Sequence, residues 1–358
     1  MDRIEKLTRL VADGRHNAFT SMIQFGKDVF LTYRSSSGHA ATDGDIILLH
    51  SSDGGENWKE RSSPFHGDRN YYEGFLVEFQ GRLFMYAGAF ERECPVGELL
   101  SSTYVSASSD GLNWSVPVPA GCPDWRFWHP LVINDTVFVA RYSQTTRKNQ
   151  RPDGTFPPSN WQVDLACSKD GVAWETVSAI SRDEAGNETE LFWDGNRLTA
   201  FVRRENCPCH LGITHAVPPY AQWSRTEDFG DCVQGMIVRE CHGRRFMFGR
   251  CRQASPRIGT IYYDRGGIGV QGYVWQPELE CWVEYCRLPG RGDCSYPGII
   301  ELPGKRVLIS YYSQHEYEDF DINGKTDIFL AVVRTDCMPE WGEVSVCGKE
   351  TLQKKGLL

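Results

Sequence analysis

The 358-residue chain has no apolar run long enough to cross a bilayer, and its opening MDRIEKLTRL scatters charge where a secretory leader needs an apolar core. A cytoplasmic protein with no membrane partner is the expectation. Excess positive charge is missing too: 38 Lys and Arg against 47 Asp and Glu leave a formal net charge of -9, which repels nucleic acid and anionic lipid. Any anionic ligand must therefore find a local basic site. The thirteen cysteines lack both an even count and regular spacing, so free thiols are expected rather than a disulfide framework. The cluster CPCH at Cys207 to His210 has no second pair at zinc-site spacing, and neither a metal nor a cofactor is expected.

What the chain does have is aromatic mass, with 11 Trp, 15 Tyr and 18 Phe in a composition 41% hydrophobic, ample for a core. It also repeats itself. An apolar strand, a tight turn and a second apolar strand recur in six places. They are TSMIQFGKDVFLTYR (Thr20 to Arg34), EGFLVEFQGRLFMYAG (Glu73 to Gly88), HPLVINDTVFVARY (His129 to Tyr142), ETELFWDGNRLTAFVRR (Glu188 to Arg204), QGMIVRECHGRRFMFGR (Gln234 to Arg250) and YPGIIELPGKRVLISYY (Tyr296 to Tyr312). The turns GK, QG, ND, DG, HG and PG suit hairpins, and the flanks are rich in β-branched and aromatic residues. Six such units predict an all-β, six-bladed β-propeller occupying residues 1–358 as one domain.

A third strand follows each hairpin: DIILLHS, TYVSAS, VDLACS, LGITHA, GTIYYD and TDIFLAV. In the first three units it runs into a shared motif, SSDGGENW (Ser51 to Trp58), SSDGLNW (Ser108 to Trp114) and SKDGVAW (Ser168 to Trp174). Antiparallel strands alternate direction, which puts the motif on the face of the hairpin turns. Asp53, Asp110 and Asp170 are expected there as turn acceptors, and Trp58, Trp114 and Trp174 as rings packed on the blade. The opposite face carries long polar loops such as SSSGHAATDGD and SQHEYEDFDINGKTD, the usual material of binding sites.

On that face the starts of the inner strands converge at the axis, offering Phe19, Glu73, His129, Glu188, Gln234 and Tyr296. The second strands end there with Arg34, Arg141, Arg203, Arg204 and Arg250, followed by Arg252 and Arg257. Guanidinium forks clustered in an acidic protein point to a carboxylate, sulfate or phosphate on the ligand. For any single arginine, pairing with Asp43, Glu73 or Glu188 to hold a loop is the alternative.

This arrangement resembles the sialidase superfamily, with its Asp-box (BNR) repeats. SSDGGENW is similar to the full Asp-box, and YRSSSGHAATDGDIILLHSSDGG to the first-blade segment that bears an acid/base aspartate. GNETELFWDGNRLTAFVRR resembles the segment joining a glutamate to an arginine. SYPGIIELPGKRVLISYYSQHE resembles the segment with a nucleophilic tyrosine, followed by a loop carrying Glu316, and PRIGTIYYD a strand with a substrate arginine. HNAFTSM stands where an Arg-Ile-Pro segment is usual, so Ala18 or Phe19 replaces the first of three carboxylate-binding arginines; in this the chain is similar to a bacterial sialidase-like branch.

The resemblance implies a glycosidase that removes a terminal acidic sugar, sialic acid or a related keto-deoxy acid, with retention. It implies Tyr296 and Glu188 as the nucleophile pair and Asp43 as acid/base, with Asp45 as a rival suited instead to a cap or turn. Substrate-binding roles fall to Arg34, His39, Glu73, Trp128, His129, Arg203, Arg250 and Arg257. A neutral tyrosine activated by a glutamate avoids the repulsion a carboxylate nucleophile meets beside the sugar's own carboxylate. Asp43 needs a partly dry loop to raise its pKa. Two other readings stay open: a glycosidase or lyase for a uronic acid, arabinan or another sugar, and a non-catalytic propeller binding acidic glycans through Trp125, Trp128, His129 and the arginines.

Overall fold

Strand β1 (Ile4–Val11) belongs at the far end of the chain, where it closes a ring of blades. Blade one is β2 (His16–Phe25), β3 (Asp28–Ser36), β4 (Asp45–Ser51) and β5 (Lys59–Arg61); blade two is β6 (Asn70–Phe79), β7 (Arg82–Phe90), β8 (Ser102–Ser108) and β9 (Val118–Pro119). In blade three the inner strand is split into β10 (Arg126–Phe127) and β11 (Leu131–Ile133), followed by β12 (Thr136–Gln144), β13 (Trp161–Ser168) and β14 (Glu175–Ser181). Blade four is β15 (Gly186–Trp193), β16 (Leu198–Arg204), β17 (Gly212–Ala216) and β18 (Glu227–Asp228). Blade five is β19 (Cys232–Cys241), β20 (Arg244–Arg252), β21 (Ile268–Gln276) and β22 (Cys281–Leu288). Blade six takes β23 (Ser295–Leu302), β24 (Arg306–Ser313) and β25 (Asp327–Arg334) from the C-terminal part and β1 from the N-terminal part. This computed structural model describes residues 3–91, 102–121, 123–144, 161–182, 185–205, 211–252, 268–318, 321 and 323–337. Among them there is no helix.

The sequence pattern anticipates the six-bladed propeller and its hairpins but not β1, whose charged residues obscure any alternation. It also places the third strand of blade five too early. GTIYYD lies outside the described residues, and β20 pairs with β21, further along the chain. Cys167, Cys241, Cys251, Cys286 and Cys337 carry free thiols; Cys207 to His210 lie outside the described residues.

The recurrent aspartate motifs are turns. Pairings Val29↔Ser51, Leu83↔Ser108 and Val137↔Ser168 set them beside the hairpin turns, away from the axial loops. Asp53 accepts from the Asn57 N–H at 2.9 Å and its amide at 2.7 Å, bonds that hold its carboxyl down to about 2. Asp110 and Asp170 repeat the pattern with the N–H groups of Leu112 and Asn113, and of Val172 and Ala173. Each later turn also grips the preceding blade: Trp174 meets Tyr86 edge to face at 5.9 Å, and a Cβ on Gly111 (φ +73°) would lie 2.3 Å from the Phe30 ring.

The inner strands carry a second regularity. Between Ala18 and Ser21, Tyr72 and Phe75, Gly186 and Thr189, Gln234 and Ile237, and Ser295 and Gly298, two residues oppose one on the partner strand, a bulge that turns the chain toward the axis. Phe19 (φ 60°), Glu73 (φ 43°) and Tyr296 (φ 47°) sit there in the left-handed region, which side chains adopt only under tertiary constraint. In blade three His129 falls in the gap between β10 and β11. Glu188 is the second residue of its bulge, and Gln234 precedes its own.

Gly54 and Gly111 separate backbone strain from packing, since Gly54 has a matching φ of +74° and open space around it. Gly54→Ala should cost about 1 kcal/mol in urea denaturation, and Gly111→Ala about 1 to 3 kcal/mol more through the clash with Phe30. Equal costs would show that the turn does not hold the blades together.

Candidate functional site

The centre of the axial face is a tyrosine delivered by blade six. Tyr296 Oη donates to Glu188 Oε1 at 2.6 Å, while Arg203 Nη1 donates to the other oxygen at 2.5 Å and its second terminal nitrogen pairs with Glu205 at 2.7 Å. Phe19, Trp128 and Tyr312 enclose the Tyr296 ring at centroid distances of 4.7, 5.1 and 5.9 Å. Burial, reinforced by the Glu188 charge, pushes the phenol well above its ordinary value. The resting group is a protonated tyrosine with its proton already aimed at a carboxylate.

A second hub forms on Asp293, just ahead of β23. His39 Nδ1 lies 2.6 Å and His16 Nε2 3.1 Å from Asp293 Oδ2, while Tyr312 Oη at 3.0 Å and Arg250 Nη1 at 3.3 Å donate to Oδ1. Burial alone would raise this carboxyl, but His39 and His16 outweigh it and hold Asp293 well below the carboxylate range. An ionised carboxylate only accepts, so both imidazoles turn an N–H toward it. His16, His39 and Asp293 present ligand atoms within 4.8 Å of one another, a spacing that a metal could use. The Arg250 charge beside the same carboxylate opposes a cation, and the hydrogen bonds account for the geometry.

Two further pairs complete the ring. Glu73 bonds Arg126, whose guanidinium also lies 5.4 Å from the centroids of Tyr72 and Tyr142. His129 Nδ1 lies 2.6 Å from Glu190 Oε2, and Arg239 donates to Glu190 Oε1 at 2.7 Å. Trp128 Nε1, His129 Nε2, Gln234 Nε2 and Arg250 Nε are buried with no partner among the described residues. Most of these are donors, as an acceptor-rich ligand requires.

Glu188, Tyr296, Glu73, Trp128, His129, Arg203 and Arg250 are thus brought together as the sequence predicts; Arg257 lies outside the described residues. Arg34 differs. Its buried guanidinium faces its own loops, donating to the carbonyls of Tyr71 (2.9 Å), Ala41 (2.7 Å), Gly38 (3.2 Å) and His39 (3.3 Å), to Ser36 Oγ (2.6 Å) and to Asn70 Oδ1 (3.3 Å). It holds the 37–44 loop in place, and its guanidinium packs over the Tyr72 ring at 4.1 Å. Asp43 also departs from expectation, because its loop is not dry. Burial alone would raise its carboxyl, yet the Ser37 N–H (2.9 Å) and Oγ (3.0 Å), with Arg15 at 3.3 Å, hold it below the ordinary value. Asp45 accepts from the Gly67 N–H at 2.9 Å, the turn role foreseen for it. Arg141 stacks on Trp125 at 4.6 Å, and Glu316 lies 3.5 Å from His315. Sequence reading missed His16, Arg126, Glu190 and Asp293. His16 and Arg126 open inner strands ahead of the predicted hairpins, Glu190 lies inside the fourth hairpin and Asp293 stands just before β23, so only their contacts reveal them.

The carbonyl cage makes a demand that charge alone does not meet. Arg34→Lys keeps the positive charge but lacks the planar fork, so urea denaturation should show a loss of about 2 kcal/mol or more, with faster proteolysis within 37–44. Wild-type stability in that variant would refute the cage.

No protein-family model and no curated protein matches the sequence. Among solved structures, the fold is similar to a protein of unknown function from Dyadobacter fermentans DSM 18053, with a TM-score of 0.73 at 17% identity over 93% of this chain and 99% of that one. It is similar to Trypanosoma rangeli sialidase in complex with the inhibitor DANA (TM-score 0.64, 9% identity, 89% of this chain and 55% of that one) and to phage phi92 endosialidase (0.64, 10%, 93% and 69%). The chain spans about half the length of the Trypanosoma sialidase. At these identities the likeness establishes the architecture, a sialidase-like six-bladed propeller.

Proposed function

We propose that the protein is a retaining exo-glycosidase acting on a terminal acidic sugar, a sialic acid or a related keto-deoxy acid. The observation that carries this reading is the 2.6 Å hydrogen bond from Tyr296 Oη to Glu188 in a buried, arginine-flanked setting. A phenol this buried does not ionise at rest, so it attacks only if its proton leaves as the bond forms, and Glu188 is placed to take it. The product of attack is a glycosyl-tyrosine, which a neutral nucleophile can form beside an anionic substrate without charge repulsion. Trypanosoma rangeli sialidase forms a covalent intermediate with 2,3-difluorosialic acid, which supports carrying this chemistry to the present chain.

Arg203 and Arg250 receive the substrate's carboxylate. Arg203 donates to Glu188 and orients it toward the phenol, and Arg250 has its Nε without a partner among the described residues. Phe19 is buried against Tyr296 where the resemblance would place an arginine, so the carboxylate is gripped from blades four and five. The three aspartate turns are read as Asp-boxes, structural elements distant from this chemistry.

The test is turnover of chromogenic α-glycosides of sialic acid, related keto-deoxy acids and uronic acids. Tyr296→Phe should lower kcat by about 10³-fold or more, and Glu188→Gln by about 10² to 10⁴-fold, on the substrate that the wild type cleaves. Wild-type turnover in Tyr296→Phe eliminates the nucleophile. Binding of acidic glycans without turnover of any glycoside would make the protein a lectin instead.

A further inference from the structure

A retaining mechanism needs a proton donor that later becomes a base, and the axial face offers several titratable groups besides the Tyr296 and Glu188 pair. Glu73 is sealed against Arg126, and His129 is buried on Glu190. Asp43 has an exposed carboxylate bonded to Ser37 and Arg15, which favour its ionised form and leave it no proton to give. His39 is different, with a side chain 31% exposed and a ring held at one nitrogen only.

We infer that His39, oriented by Asp293, is the acid/base of the reaction in place of Asp43, an assignment that rests on the glycosidase reading. Asp293 is fixed from four sides by His16, His39, Arg250 and Tyr312, so it cannot swing away from the imidazole. With Nδ1–H directed at that carboxylate, Nε2 is the working nitrogen, and it has no partner among the described residues. Buried Phe19 packs against both working groups, its centroid 5.5 Å from His39 and 4.7 Å from Tyr296, and holds them in one aromatic cluster. Histidine suits the task because one ring nitrogen can give and take back a proton while the other stays bonded to its carboxylate.

In the first step the Tyr296 oxygen bonds to the anomeric carbon and passes its proton to Glu188, while the glycosidic C–O bond breaks and the leaving oxygen takes the proton from His39 Nε2. In the second step neutral His39 takes a proton from water, whose oxygen bonds to the anomeric carbon. The C–O bond to Tyr296 then breaks, and the phenol recovers its proton from Glu188. Asp293 exchanges no proton and acts as a positioning residue.

Leaving-group dependence tests this. On the acidic sugar that the wild type cleaves, His39→Ala should lower kcat/KM by less than about 10-fold for 4-methylumbelliferyl glycosides and by at least about 100-fold for alkyl glycosides. Azide should restore its turnover and yield a glycosyl azide of retained configuration. His39→Gln should repeat the split, and thermal denaturation of both variants separates it from misfolding. Asp293→Asn should show the same split, which a merely structural defect does not produce, and Asp43→Ala should not. Equal losses on both leaving groups in His39→Ala, with activity still dependent on Tyr296, overturn this inference alone. So does a split found in Asp43→Ala instead. Zinc that survives dialysis in the wild type, disappears in His39→Ala and is required for turnover would overturn it by making the hub a metal site. A wild type that cleaves no acidic glycoside sinks the glycosidase reading and this assignment together.

Discussion

A charge taken out of water must be paired, and the axial end of this propeller is organised by that requirement. Glu188, Glu190, Asp293, Arg203 and Arg250 are all buried there, and each finds its partner across a blade boundary or within its own strand pair. Tyr296 of blade six reaches Glu188 of blade four; Asp293 gathers His16 and His39 of blade one with Arg250 of blade five. Glu190 of blade four ties His129 of blade three to Arg239 of blade five. The bonds that pair the charges are therefore the bonds that join the blades. Removing one side chain leaves its partner buried and uncompensated, which is why these groups hold distances near 2.6 Å.

The bulges explain how a regular sheet supplies such a cluster. An unbroken inner strand would alternate its side chains between blade faces, whereas two residues opposed to one redirect the chain at the same point in blade after blade. Phe19, Glu73 and Tyr296 accept unfavourable backbone angles as a result. On the opposite face the blades pack closely, with Gly111 against Phe30 and Trp174 against Tyr86. One face supplies rigidity and the other uses it.

What was legible in the sequence follows from the range of each interaction. Hairpins and aspartate turns are local, so six blades, the turn roles of Asp53 and Asp45, and the convergence of Glu188 with Tyr296 could be read from spacing. Strand β1 could not, because its partner β25 lies at the other end of the chain. Asp293 was hidden for the same reason: His16 and His39 precede it by more than two hundred residues, and it belongs to no repeated segment. Arg34 was misread because a position at a strand end gives residue type and face but not the direction of a long side chain. Asp43 sits on the expected loop, yet its acidity is set by the Ser37 N–H and hydroxyl, which no pattern reveals.

Phe19 and the two-histidine hub make sense only together. An arginine at that bulge would place a fixed positive charge against the His39 ring, 5.5 Å from the present phenylalanine, and close to a carboxylate already serving two imidazoles and Arg250. The added charge would compete with His39 and His16 for that carboxylate. With phenylalanine there, the local charge is left to Asp293, and the same ring packs on Tyr296 and on Tyr312, whose hydroxyl returns to Asp293. The aromatic thus joins Tyr296 and the histidine hub into one packed unit while adding no charge to either.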